Sequence, residues 1–456
     1  MKKLIIFLIT IIFVSSFIYC ILDKKEEVVK EDSEIRAVFI SYIDYSILNG
    51  KSINEKKDII EKMINVIKSF NLNAIILQVR PFSDAIYKSN IFASSKVVVK
   101  HEGDNLDLDI LDYFIKKAHE NKIELHAWIN PYRVRNTNDY SDISKDSIIY
   151  SWLNTRNIEI KDGIYLNPAS EDVLNLILNG VSEIVLNYDV DGILYDDYFY
   201  PSKTIDLEEY NKSGINLSIE EYRTNIISNL IKQTYETIKS IDKNVKFSIS
   251  PAGNINNNLN DEYLDIAFIL KNNNYLDYVM PQIYYGFDNQ NLPFIKTLKV
   301  WNDLILNNDT KLIVALALYK SGNVDKYAGS GNNEWTINSD IITNQIIESR
   351  NVSKYSGFSI FRYEFLIKEG NDNLNKLCDS NDLYSEDLFL NEFKLKKENK
   401  ELKYMINLMA EYIDYNSLSN DYCKVRTDNC GLVGGSKKCS ECVKEYFINI
   451  VRNERK

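Results

Sequence analysis

Apolar and polar positions along the chain fall into two alternating periods between Glu34 and about Glu364. Short apolar runs read as buried strands: "RAVFISYI", "NAIILQVR", "IELHAWIN", "DGILYDD", "VKFSISP", "LDYVMPQIYY", "KLIVALALY" and "GFSIFRYE". Between them the spacing turns helical. "SINEKKDIIEKMINVIKSF" opens with Ser52 and Glu55 in capping-box spacing and carries Ile59, Met63, Val66 and Phe70 on one face. "SEDVLNLILNGVSEIV" repeats Val173, Ile177, Val181 and Ile184 behind a Ser170 cap, and Ser218 with Glu221 opens "SIEEYRTNIISNLIKQTYETI" in the same way. Eight strands alternating with helices or helix-length connections predict an α/β fold, a (β/α)8 TIM-type barrel. The competing doubly wound sheet usually carries a glycine-rich first turn, and this chain has none.

In such a barrel the chemistry gathers at the C-terminal strand ends. Those ends read "QVRPFSDAIY", "HAWINPYR", "YDDYFYP", "SISPAGN", "PQIYYGFD", "LALYKSG" and "FRYEF" after strands two to eight, rich in polar and aromatic side chains, while the opposite ends are plainer. The asymmetry predicts where the site lies.

Outside the alternation the character changes. Residues 1–33 open "MKKLIIFLITIIFVSSFIYC", a basic start followed by an apolar run, in form an export signal. Its end is similar to a bacterial lipoprotein signal with Cys20 as the lipidated residue. Tyr19 stands where a small residue is usual, so an uncleaved anchor is the alternative, the run being nearly long enough to span a bilayer. Either way the expectation is a chain tethered to the membrane on its extracytoplasmic face. The barrel is expected over residues 34–370. From 371 to 415 the sequence reads as an amphipathic helix with Leu388, Leu395, Leu402 and Met409 spaced by seven, and 416–456 as a small Cys-containing module. Cys423, Cys430, Cys439 and Cys442 fit either two disulfides, as an exported chain suggests, or a structural zinc, as the C-x-x-C of Cys439 and Cys442 suggests.

Composition narrows the partners. Apolar residues make up 45% and charged residues 26% of the 456, an ordinary globular balance. A net charge of -11 offers no basic surplus for phosphates, so no nucleic-acid partner is expected. The 31 tyrosines and 19 phenylalanines supply flat apolar faces for a neutral substrate. Three histidines, no H-E-x-x-H, no phosphate-cradling glycine loop and no G-x-S-x-G elbow set aside metalloprotease, NTPase and serine hydrolase chemistry.

The stretch "VDGILYDDYFYP" concentrates the remaining chemistry. Asp196 and Asp197 sit side by side where a buried strand ends, and two adjacent carboxylates repel, which raises one pKa. Together with "LQVRPFSDAIYKSNIF", "ELHAWINPYRV", "YLNPASEDV", "FSISPAGNINNN" and "DYVMPQIYYGF", the stretch resembles the bacterial glycosyl hydrolase-like 10 family from about Glu34 to at least Tyr319. The resemblance implies a (β/α)8 glycosidase of the cell envelope acting on peptidoglycan glycan strands stripped of peptide. It does not supply a catalytic assignment.

Glycoside hydrolysis normally needs two carboxyl groups; a second route uses the sugar's own N-acetyl oxygen as nucleophile. Adjacent aspartates suit the second route, one orienting the acetamide and one donating the proton, with no cofactor for catalysis. The rival assigns Asp196 as nucleophile, similar to the strand-four pattern of other barrel glycosidases, with the acid drawn from Glu364, Asp84 or Asp288. The bland alternative makes Asp197 a turn cap. Gln78, Asn130, Asn167 and Gln282 suit sugar hydroxyls or tie loops. Arg80 and Asp84 are either a substrate-facing couple or a plain ion pair. Arg133 suits a sugar carboxylate or a loop closure, and His126 a substrate contact or a satisfied structural histidine. Tyr200 and Tyr284 are the favoured stacking platforms among the rim aromatics. A non-catalytic glycan-binding barrel is the alternative function.

Overall fold

The computed structural model describes residues 34–196, 198–338 and 341–367. The N-terminal segment with Cys20, the expected tail helix, the four tail cysteines and Asp197 lie outside the described residues. Eight strands close into a barrel: β1 (Ile35–Ile40), β2 (Ala74–Arg80), β3 (Glu124–Ile129), β7 (Gly192–Tyr195), β8 (Lys246–Ile249), β9 (Tyr278–Val279), β10 (Lys311–Ala317) and β11 (Tyr355–Phe361). Every neighbouring pair is parallel and β11 returns to pair with β1, so the sheet has no edge. Six strands fall inside their apolar runs, while β1 begins one residue before "RAVFISYI" and β11 two residues before "GFSIFRYE". "LDYVMPQIYY" is the weakest ladder, with only Tyr278–Val279 regular. Pro281 has no N–H to donate, and pairing resumes as single bridges from Gln282 to Ala252 and Ala315.

The outer helices form where capping and periodicity coincide. Ser52 and Glu55 exchange bonds at the start of the Ile53–Ser69 helix, and Ser218 and Glu221 do so before Ile219–Ile241. The inner face of Ile53–Ser69 buries Ile59, Ile60, Met63, Ile64 and Ile67 against the barrel. Each such fully buried aliphatic side chain contributes roughly 1.5–3 kcal/mol.

Two cores result. The larger lies between barrel and helices, and a smaller one fills the barrel with Ala37, Phe39, Ala74, Ile76, Trp128, Leu194, Met280, Ile313 and Ala315. The inward residues alternate along each strand, as the pleat requires. On β3 and β7 the register pairs His126 with Gly192 and Trp128 with Leu194. Two residues further toward the C-terminal ends come Asn130 and Asp196, so the inward row that begins as packing ends as polar chemistry.

One element was not legible in the pattern. A three-stranded antiparallel sheet, in order β4 (Arg133–Arg135), β6 (Ile164–Leu166), β5 (Ile158–Ile160), follows β3. Three-residue strands are too short to show a period. Among the described residues no helix is long and apolar enough to cross a membrane.

Candidate active site

Asp196 follows the last residue of β7 and is 5% exposed. Trp128 Nε1–H donates to its Oδ2 (3.2 Å), Asn130 Nδ2–H donates to the same oxygen, and Tyr198 N–H approaches Oδ1 at 3.4 Å. Burial raises the Asp196 pKa. Arg133 and the donors Asn130, Tyr198 and Trp128 pull it back. The carboxylate is thus desolvated yet held by N–H groups, an arrangement that keeps its position and sharpens its interaction with whatever enters.

Asn130 is itself fixed. Its Oδ1 accepts from Gln78 Nε2–H (2.6 Å) and from an Arg133 guanidinium N–H (3.0 Å), and Gln78 Oε1 accepts from Tyr42 N–H (3.0 Å). A chain of bonds therefore runs from the loop after β1 through β2 and β3 to Asp196. Arg133, on β4, also donates to Pro81 O and lies over the rings of Phe82 (5.2 Å) and Tyr198 (5.6 Å), with the Tyr42 ring tilted against Phe82 at 5.3 Å.

A second acidic cluster closes the barrel between β11 and β1. Arg362 donates to Asp44 Oδ1 (2.6 Å) and to Glu364, and Asp44 accepts from the Ser41 backbone N–H and hydroxyl at 2.7 and 2.8 Å. Burial raises the pKa of Asp44, against Arg362 and Ser41. Glu364, the distant-acid candidate, is thereby committed to Arg362. The Phe361–Arg362 peptide is cis.

Aromatic rings floor the mouth. Trp128 meets Phe39 at 5.4 Å, Phe39 meets Phe361 at 5.7 Å, and Phe361 meets Tyr284 and Tyr319 at 5.9 and 6.2 Å. The floor leads from the donor of Asp196 to a cleft of about 430 Å³ over the ends of β8, β9 and β10, where Tyr284 and Gln282 are lining residues.

Several expected contacts are placed elsewhere. Arg80 is buried with its guanidinium 4.0 Å from the Phe92 ring and against Gly180 of the Glu171–Asn187 helix, so it packs outside the barrel wall and makes no ion pair with Asp84. Asp84 is fully buried. Burial and the Glu102 carboxylate push its pKa up to about 7, while the Ser95 hydroxyl and Arg135 oppose them. His126 faces inward two residues below Trp128, bonded to Glu124 (3.1 Å), and its ring fills the space that a Cβ on Gly192 would take. Asn167 ties loops, donating to Arg156 O and Glu209 and accepting from Ala169 N–H. Tyr200 is also 5% exposed, its hydroxyl bonded to Asp206 (2.7 Å) and its ring against Tyr263. The exposed ring beside Asp196 is Tyr198, at 56%. Asp288 is exposed, and its backbone N–H is held by Glu334.

Two contributors escaped the sequence reading. Trp128 carries no charge or repeat that marks it as functional, although strand alternation from Asn130 puts it on the inward row. Glu262 accepts the backbone N–H groups of Phe199 and Tyr200 at 2.8 and 2.7 Å, holding the loop that follows the aspartates. No local pattern marks a glutamate sixty residues downstream as its clamp.

A closed parallel barrel with a buried carboxylate at the C-terminal end of its fourth strand is the architecture of a (β/α)8 barrel protein with its site in the usual mouth. More particularly, the chain belongs to the Glycosyl hydrolase-like 10 family, which it matches over residues 34–330. It is 27% identical over 323 residues to glycosyl hydrolase YngK of Bacillus subtilis (strain 168), covering 64% of this chain and 62% of that protein, less than two thirds of its length. Against glycosyl hydrolase DigH of Escherichia coli (strain K12) identity is 28% over 362 residues, covering 72% of this chain and 80% of the relative. Among solved structures, the PgaB (BpsB) glycoside hydrolase domain from Bordetella bronchiseptica superposes with a TM-score of 0.49 at 11% identity, covering 76% of this chain and 98% of that one.

Proposed function

We propose that this protein is a glycoside hydrolase that cuts N-acetylated glycan, the glycan strands of peptidoglycan in particular, at the extracytoplasmic face of the bacterial membrane. The observation that supports the reading is Asp196: a desolvated carboxylate held by Trp128 and Asn130 at the mouth of the barrel. In the proposed scheme Asp196 Oδ1 accepts the acetamide N–H of the sugar. The acetamide oxygen then attacks the anomeric carbon as the glycosidic C–O bond breaks, and Asp197 gives its proton to the leaving oxygen. Water then attacks the anomeric carbon, the bond to the acetamide oxygen breaks, and the water proton passes to the Asp197 carboxylate, restoring the acid. The carboxylates and the substrate's own amide carry the reaction, so no cofactor enters it.

The test is hydrolysis of an N-acetylated oligosaccharide by the parent, Asp196→Asn and Asp197→Asn. Each variant should lose about 10²–10⁴-fold in kcat, the usual contribution of a positioned proton-transfer group, and a sugar without the N-acetyl group should be inert. A covalent sugar trapped on Asp196, or a nearly active Asp197→Asn, would replace the paired-aspartate scheme with double displacement. The tether through Cys20 belongs to the same proposal: fatty-acid label should enter the parent and vanish in Cys20→Ala. Zinc analysis of the full chain beside thiol titration tests the proposed structural zinc on Cys423, Cys430, Cys439 and Cys442 against disulfides.

A further inference from the structure

The cleft beside the catalytic mouth has a chemistry of its own. It lies over β8, β9 and β10, and Asp196 is not among the residues that line it. At about 430 Å³ it falls within the size range of small-ligand sites, roughly 300–1,000 Å³. Its walls are tied together rather than merely adjacent. Lys320 Nζ donates to Tyr284 O and to Asp325 Oδ2, both at 2.7 Å, joining the loop after β10 to the loop after β9. Gln290 N–H donates to Ala328 O at 3.0 Å, and Glu334 accepts the backbone N–H groups of Phe287 and Asp288.

Three features of the lining select a ligand. First, its charged residues among the described ones are Lys320 and Asp325, which neutralise each other, so the cleft offers no cation for a carboxylate or phosphate. Second, amide groups remain unspent. Gln282 donates to Ser250 O and keeps its Oε1 without a bond among the described residues, and Asn289 accepts from Asn291 and Leu292 N–H and keeps its Nδ2. An acceptor and a donor therefore stand ready for hydroxyl or acetamide groups. Third, Tyr327 is on the rim, 89% exposed, while its backbone N–H is fixed to Asp325 Oδ1 at 3.1 Å. A ring presented to solvent on an anchored backbone is prepared to stack at little ordering cost.

We infer that this cleft is a subsite for an uncharged sugar residue of a glycan chain, with Tyr327 stacked on the sugar face and Gln282 and Asn289 on its polar groups. The inference rests on the glycan reading above and adds to it a defined position. In a chain where carboxylated and neutral sugars alternate, the neutral one occupies the cleft while the neighbouring linkage lies over Asp196.

The test is calorimetric titration of the full chain carrying Asp196→Asn, so that the ligand survives, with β-1,4-linked N-acetylglucosamine oligomers of one to five units. Affinity should rise with length. Adding Tyr327→Ala should cost the pentamer at least about fivefold, and Tyr327→Trp should retain binding. Oligogalacturonate of equal length should bind at least tenfold more weakly. Unchanged pentamer affinity in Tyr327→Ala, or equal binding of the charged oligomer, overturns the subsite. A parent that hydrolyses glycan while Tyr327 has no effect on oligomer binding overturns the subsite and leaves the hydrolase standing. Tyr327-dependent binding by a parent that cuts no glycan supports the subsite and removes the hydrolase.

Discussion

Asp191 and Asp196 stand five residues apart, at opposite ends of one barrel strand, and do opposite things. Asp191 sits before β7, where its Oδ2 accepts Leu125 N–H (2.7 Å) and the His119 Nε2 contact (2.9 Å). Asp277 repeats the arrangement, accepting Phe247 N–H at 2.7 Å beside Lys239, and Asn73 does so for Arg36 N–H. At this end of the barrel, polar side chains satisfy the N–H of the second residue of a neighbouring strand and are finished. Asp196 takes its shorter bonds from side chains, Trp128 and Asn130, that are themselves positioned by others, and it remains at the mouth of the barrel, where the proposed reaction is set. The lesson is that an acidic residue in a barrel is read by which end of the strand carries it and by what holds it, not by its type.

The comparison breaks most visibly at Asp196. Asp196→Asn should cost about 10²–10⁴ in kcat with the thermal midpoint close to that of the parent. Were the variant instead to unfold with little loss of intrinsic rate, the mouth would be built for stability like the opposite end. Next comes Arg362→Met, which leaves Asp44 buried without its cation. Denaturant unfolding should show a loss of about 3–5 kcal/mol, the usual cost of breaking one side of a buried pair. The deficit should shrink in acid as Asp44 takes a proton, and a loss independent of pH would mean that packing rather than charge holds this part of the mouth.

Asp84 gives a smaller, pH-dependent effect. Its pKa in the folded chain is about 7, above the ordinary 3.8, so between those values the folded state holds a proton that the unfolded state has released. Stability therefore falls as pH rises from about 4 to about 7 and levels off beyond. Asp84→Asn should flatten that slope and gain up to about 4 kcal/mol at pH 8, at 1.36 kcal/mol per pKa unit. Parallel unfolding curves at pH 4.5 and pH 8 check it, and an unchanged slope would sink the assignment. The smallest effect is Asp191→Ala. It strands Leu125 N–H at a cost of about 1–3 kcal/mol while kcat stays within twofold of the parent. A large drop in kcat there would erase the contrast between the two ends.

Much of this was legible in the chain before folding. Period-two apolar runs separated by capped amphipathic helices specify strands and helices through local physics, and eight of them in alternation leave few ways to bury both faces of a sheet. The strand ends carry their chemistry in their own residues, so Asp196, Asn130, Gln78 and Arg133 were found as candidates from position alone. Which candidates share a site depended on side-chain direction and on distant partners. Arg80 and Asn130 both close polar strand ends, yet the register shift between Gln78 and Arg80 on β2 accompanies an Arg80 that packs against Phe92 and Gly180 outside the wall. Tyr198 and Tyr200 are two residues apart, and the ring bonded to Asp206 is buried while the other meets solvent, a distinction made by residues that arrive from later in the chain. Glu262 joins the mouth because barrel closure sets the loop after β8 against the loop after β7, and Tyr327 reaches the cleft because the loop after β10 is tied to the loop after β9. Local sequence determines what an element is and which faces it offers, because hydrogen bonds within it and its apolar period act over a few residues. What each polar side chain is for was decided by the tertiary fold, because burial and pairing depend on groups from other elements, 66 residues apart for Asn130 and Asp196 and 318 for Asp44 and Arg362.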